Sequence, residues 1–183
     1  MYDPEQGSVL IDGQNLKDCK QDQFRRVISV IPQGGVLFND TVEFNLKYGN
    51  PDATQEQIEQ VAKRCHLHEK IISMPDGYHS QVGDLGSKLS GGERQRILIA
   101  RGLLKKNAQI YLFDEATSNL DAKTEKEITE WLDEVMKGKT VIYCAHRLSS
   151  IINVDKIHVV NNGRLVEQGT HAELINDPES TYS

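Results

Sequence analysis

From Thr41 to Leu104 the chain carries no strand signal, while on both sides of that stretch short β-branched runs alternate with helical segments. Alternation of this kind builds a parallel sheet with helices on its faces, and a long strand-free interval inside it has to be a helical insertion. Ser8 to Asp12 is an apolar run ended by Gly13, Gln21 to Arg26 favours helix, and Val27 to Ile31 is a β-branched run stopped by Pro32. Within the insertion, Ile58, Val61, Ala62, Cys65, Leu67 and Ile71 recur at helical spacing over Gln55 to Ile72. Strands resume at Ile110 to Phe113, Thr140 to Ala145, Lys156 to Val160 and Arg164 to Glu167, with an amphipathic helix over Ala122 to Met136. The expectation is an α/β fold with a mostly parallel sheet and a helical subdomain at about residues 41–104, with no independent domain boundary within 1–183.

Composition narrows the function classes. At 183 residues, 38% hydrophobic and 26% charged, the chain has the mix of a folded domain with a core. A net charge of -6 and the lack of any basic stripe disfavour a general nucleic-acid binder, which must offset phosphate charge. Cys19, Cys65 and Cys144 are odd in number and widely spaced, so neither a disulfide framework nor a zinc site is expected. No run approaches the roughly 18 apolar residues of a membrane span, and Met1-Tyr2-Asp3-Pro4 has no signal or transit pattern.

The chemistry concentrates in four places. Leu89-Ser90-Gly91-Gly92-Glu93-Arg94-Gln95 opens a helix-favouring run to Lys105, so a serine hydroxyl and bare first-turn amides point into one anion-suited concavity. By itself, a serine followed by glycines is also an ordinary helix cap. The strand Ile110 to Phe113 ends in Asp114-Glu115, adjacent carboxylates that point in different directions. Asp114 is placed to order the hydration shell of Mg²⁺, and Glu115 to hold or deprotonate a water. His146 follows Thr140 to Ala145 at the carboxyl edge of the sheet, where open α/β folds bind ligands. Gln33, just after Pro32, can offer its amide oxygen to metal or water.

In this order and spacing the residues resemble the nucleotide-binding domain of ATP-binding-cassette (ABC) transporters, a P-loop NTPase-type ATPase core, from Tyr2 to the C-terminus. The resemblance puts the Q-loop glutamine on Gln33, the signature motif on Leu89 to Gln95, the Walker B acids on Asp114 and Glu115, the D-loop on Ser118-Asn119-Leu120-Asp121 and the switch histidine on His146. It implies ATP and Mg²⁺ as cofactors, with Asp114 and Gln33 at the metal and Glu115 and His146 catalytic. Gln33, Ser90, Gly91, Gly92, Glu93 and Asp121 would bind nucleotide. The implied partners are a second such domain, joined head to tail around two ATP molecules, and a transmembrane domain of the same polypeptide; no nucleic acid is implied. The phrases Val36 to Thr41, Tyr48-Gly49-Asn50, Met74 to Tyr78 and Ser80 to Gly83 resemble subfamily B exporters, most of all the mitochondrial half-transporters associated with iron–sulfur clusters. That likeness implies the mitochondrial inner membrane, with the cassette on the matrix side.

Two departures stand out. Exporters usually carry Gly-Glu-Arg-Gly before the signature, where this chain has Gly83-Asp84-Leu85-Gly86, and Asn119 stands where alanine or serine is common. No G-x-x-x-x-G-K-[ST] phosphate loop occurs in the sequence; the resemblance places that motif immediately upstream of Met1. These 183 residues alone are then expected to lack ATPase activity. Since the family fold sets the phosphate-loop strand beside Thr140 to Ala145, an unpaired apolar edge is expected there. Other readings are a non-catalytic or degenerate cassette, and a DNA-repair or chromosome-maintenance ATPase. The latter class interrupts its cassette with a long heptad coiled coil, and no sustained heptads occur here.

Overall fold

The computed structural model describes residues 3–145 and 151–182. They fall into two compact units, residues 1–144 and 145–183. In the first, β1 (Leu10–Ile11) and β2 (Gln14–Asn15) form an antiparallel hairpin. The single strand expected at Ser8 to Asp12 is thus one arm of a hairpin, because Asp12 and Gly13 both take positive φ (49° and 75°) and reverse the chain in two residues.

α1 (Gln21–Val27) leads into β3 (Ile28–Ile31), which pairs in parallel with β4 (Ile110–Asp114), and β4 in turn with β5 (Thr140–Cys144). The order β3-β4-β5 leaves β5 at one edge. One face of this sheet packs into the core through Ile31, Tyr111 and Phe113, all buried. On the opposite face Val30, Leu112 and Ile142 stand in register, with Val30 57% and Ile142 52% exposed. The expected apolar edge is therefore present, and an apolar row on one face accompanies it.

The insertion is helical as expected: α2 (Val42–Lys47), α3 (Gln55–Arg64), α4 (His68–Ile72) and the long α5 (Gly91–Leu104). The run Gln55 to Ile72 is not continuous helix. His66 takes φ 52° and the helix turns there, which lets Cys65, Leu67 and Ile71 all bury on one side. α5 runs under the sheet, where Ser29 Oγ donates to the Gly102 carbonyl at 2.8 Å. Buried Asn45 ties α2 to α5: its Oδ1 accepts from Phe38 N (2.9 Å) and from Arg101 Nη2 (2.6 Å). α6 (Ala122–Val135) connects β4 to β5 and buries Ile128 and Leu132.

The second unit contains an antiparallel pair, β6 (Ile157–Asn161) and β7 (Arg164–Gly169), turned by Asn162-Gly163. α7 (His171–Ile175) closes it, with Ile157, Leu174 and Tyr182 forming a small core. Its two strands pair with each other. No helix among the described residues is long and apolar enough to cross a membrane.

Candidate functional site at the carboxyl ends of the strands

Parallel pairing brings the carboxyl ends of β3 and β4 side by side, since Ile31 pairs with Phe113. The next residues of each strand therefore meet: Gln33 Nε2 donates to Glu115 Oε2 at 2.6 Å. Glu115 itself takes φ 45°, an unfavourable left-handed conformation for a residue with a side chain, held by its N–H donating to the Cys144 carbonyl at 2.9 Å. That turn separates the two acids, leaving Asp114 exposed at the strand end in register with Cys144. His146 lies outside the described residues.

Gln33 is positioned by a residue that sequence reasoning left among the signature letters. Gln95, 1% exposed on α5, donates from Nε2 to the Pro32 carbonyl (3.2 Å) and accepts at Oε1 from Gly34 N (3.3 Å). One buried amide thus grips the backbone on either side of Gln33. The available signal was its place on the face of α5 that buries Leu98 and Ile99 nearby, where an uncharged amide needs a partner. A second such residue is Glu125, 8% exposed, which accepts from Thr117 Oγ1 at 2.8 Å and braces the turn after Glu115.

At the other group, Ser90 caps α5 in a reciprocal box: Glu93 N donates to Ser90 Oγ (3.2 Å) and Ser90 N to Glu93 Oε2 (2.8 Å). Arg94 N goes to the Ser90 carbonyl at 3.0 Å, so the Gly91 and Gly92 N–H groups are left without an intrahelical acceptor. The two glycines differ. A Cβ on Gly92 would lie 3.2 Å from the Asn119 carbonyl, so this turn packs closely on the segment before α6. A Cβ on Gly91 would meet nothing nearer than an Arg94 guanidinium nitrogen at 3.9 Å. Packing within the chain thus explains the bareness of Gly92 and leaves that of Gly91 open to an outside approach.

Asp121 has a local role as well: its Oδ1 accepts from Thr124 N at 3.0 Å, capping α6, and that hydrogen bond holds its carboxyl below the ordinary value. Ser90 and Glu93 bond each other, whereas Gln33 bonds Glu115, so the predicted residues form two groups on one chain. A concavity lined by Lys63, His66, Glu127 and Trp131 lies between α3 and α6, and none of these residues belongs to either group. Among the described residues there is no group of three or more His, Cys, Asp and Glu side chains that could hold a metal ion.

The family model described as ABC transporter matches residues 1–118. The chain belongs to the ABC transporter family. Among its relatives, the "Iron-sulfur clusters transporter ABCB7, mitochondrial" of Oryzias latipes is 47% identical over 182 residues, covering 100% of this chain and 24% of that protein. The human protein of the same name is 46% identical over 182 residues, again covering 24% of its length. The "ABC transporter ATM1" of Toxoplasma gondii is 50% identical over 182 residues, 16% of its length. A solved bacterial Atm1-family ABC exporter with ATP bound superposes with a TM-score of 0.91 at 45% identity, covering 95% of this chain and 30% of that one. The cassette thus has the α/β fold of the Atm1 group, and it spans about a quarter or less of the length of these curated relatives.

Proposed function

We propose that this cassette belongs to an ATP-hydrolysing exporter, and that it supplies the signature half of one composite ATP site and the water-activating half of another. The observation that carries this reading is the α5 start: two first-turn N–H groups without intrahelical acceptors, one of them on a glycine that its own chain does not crowd. Such a turn suits phosphate oxygens presented by a second, head-to-tail cassette. In this reading Ser90, Gly91 and Gly92 contact the nucleotide held by the partner, with Glu93 shaping the turn and Asp121 fixing the D-loop beside it.

On the other side Glu115 orients and deprotonates the attacking water, and His146 contacts the γ-phosphate. Asp114 and Gln33 would hold Mg²⁺, which when bound neutralises phosphate charge. The residues fit that ion: Asp114 is an exposed carboxylate, and Gln33, which donates through Nε2 to Glu115, keeps its amide oxygen for a metal or its water. A transmembrane domain of the same polypeptide would be driven by closing and opening of the pair. Exposed Phe38, Phe44 and Tyr48 cluster together, with the Arg101 guanidinium over the Phe38 and Tyr48 rings, and offer an apolar surface for it to rest on. By likeness to the mitochondrial ABCB7 relatives, we place the transporter in the mitochondrial inner membrane, with the cassette facing the matrix and a role tied to iron–sulfur clusters.

The test is turnover in the complete exporter. Glu115→Gln is expected to lower ATP hydrolysis by about 100-fold or more, the scale of a lost general base, while ATP still binds. Full activity in that variant would remove Glu115 from the mechanism.

A further inference from the structure

Glu93 places a carboxylate at the very helix start that the proposed function opens to a triphosphate, and a negative charge there works against an anionic ligand. Its side chain is only 16% exposed and faces two cations. Lys70 Nζ, on α4, lies 3.7 Å from Glu93 Oε1. Arg96, one turn along α5, is held by its Nε donating to the Gly92 carbonyl (3.3 Å) and its Nη1 to the His66 carbonyl (2.6 Å). Burial pushes the Glu93 carboxyl up, but the Ser90 hydrogen bond together with the Lys70 and Arg96 charges outweighs it and holds the group below its ordinary value.

The two cations differ in what they can do. Arg96 has its hydrogen bonds committed to two backbone carbonyls, so it builds the corner between α3, α4 and α5. Lys70 sits 43% exposed, and Glu93 is the charged group within ion-pair distance of its ammonium. We propose that Lys70 is a positioning residue of the signature turn: it offsets the Glu93 charge and so sets how readily the α5 start accepts a nucleotide phosphate. Glu93 is retained for its hydrogen bond to Ser90 N, and Lys70 removes the electrostatic penalty of that cap. The ion pair thereby ties α4 to the nucleotide-facing turn at the start of α5. This inference rests on the proposed role of the turn.

The experiment uses the complete exporter with Glu115→Gln, so that ATP binds without turnover, and reads the concentration of a fluorescent ATP analogue at half-saturation. Lys70→Met is expected to raise that concentration about two- to fivefold, the scale of a partly exposed charge at a helix start. Lys70→Arg should stay near wild type, and adding Glu93→Gln to Lys70→Met should restore the original affinity. With Glu115 intact, Lys70→Met should raise KM for ATP and leave kcat near its original value. Unchanged binding in Lys70→Met overturns the proposal, and so does a loss that Glu93→Gln fails to relieve, the pattern of a purely structural lysine. Ser90→Arg separates the two levels of inference. If it blocks binding while Lys70→Met has no effect, only the role of Lys70 is lost; if it leaves binding intact, the reading of the turn itself falls.

Discussion

One buried amide, Gln95, and one buried carboxylate, Glu125, do the positioning that the exposed site residues cannot do for themselves. Gln33 is exposed, and an exposed side chain on a loop is free to turn unless its backbone is held. Gln95 holds it through hydrogen bonds to Pro32 and Gly34. Gln95→Leu would keep the volume and leave both backbone groups without that partner, a cost of about 1–3 kcal/mol by the usual penalty for orphaned polar groups. Hydrophobic gain does not offset this, because Gln95 already packs at 1% exposure and its methylenes are shared with leucine. Denaturant unfolding of the cassette within the complete exporter, wild type against variant, measures it, and a change below about 0.5 kcal/mol, the range of neutral surface substitutions, would show that the clamp is idle. In the complete exporter the same variant should also lower turnover, since Gln33 would lose its register with Glu115.

At the level of elements, α5 packs closely against β3. Gly102 lies in the middle of α5, where alanine would ordinarily be favoured by about 1 kcal/mol. A Cβ there would stand 2.6 Å from Ile31 Cγ1, 3.0 Å from Ile31 Cδ1 and 3.3 Å from Ser29 Oγ. Ile31 is fully buried and has nowhere to move. Overpacking of about 1–3 kcal/mol therefore outweighs helix propensity, and Gly102→Ala is expected to destabilise. In the complete exporter, a melting temperature equal to or above wild type would reverse that ranking.

The same elements show what the sequence made legible. The apolar runs at Val27 to Ile31, Ile110 to Phe113 and Thr140 to Ala145 became the parallel sheet, because parallel strands announce themselves by near-continuous apolar letters. The pairing of Gln33 with Glu115 is their consequence, since register alone brings the two strand ends together. The break at His66 was not legible: its apolar spacing continues across the turn, and the deciding fact is which side of the core Leu67 and Ile71 reach. The Asp12-Gly13 hairpin was signalled by its turn letters, but its second strand, Gln14–Asn15, has no apolar content to mark it. Gln95 stayed hidden because its function lies in contacts 61 and 63 residues away.

For the molecule as a whole, the sheet sets the limits of what these 183 residues do in isolation. Among the described residues β5 has a neighbour on one side only, and the in-register row of Val30, Leu112 and Ile142 places two strongly exposed apolar side chains on one face. An open strand edge beside an apolar row is a template for self-association. The same residues contain no phosphate loop. If a complete site binds ATP near 1 μM, about -8 kcal/mol, then four absent charge-assisted hydrogen bonds at about 1.5 kcal/mol each remove about 6 kcal/mol. The remaining 2 kcal/mol or so corresponds to an affinity in the tens of millimolar, above ordinary cellular ATP. The purified 183-residue chain is accordingly expected to sediment as a heterogeneous distribution and to hydrolyse no more ATP than its own Glu115→Gln variant. Analytical ultracentrifugation and a phosphate-release assay check the two halves separately. A monodisperse species with a cooperative melt would mean that the apolar row is covered in solution, and turnover above the variant would mean that the phosphates are gripped by residues other than a phosphate loop.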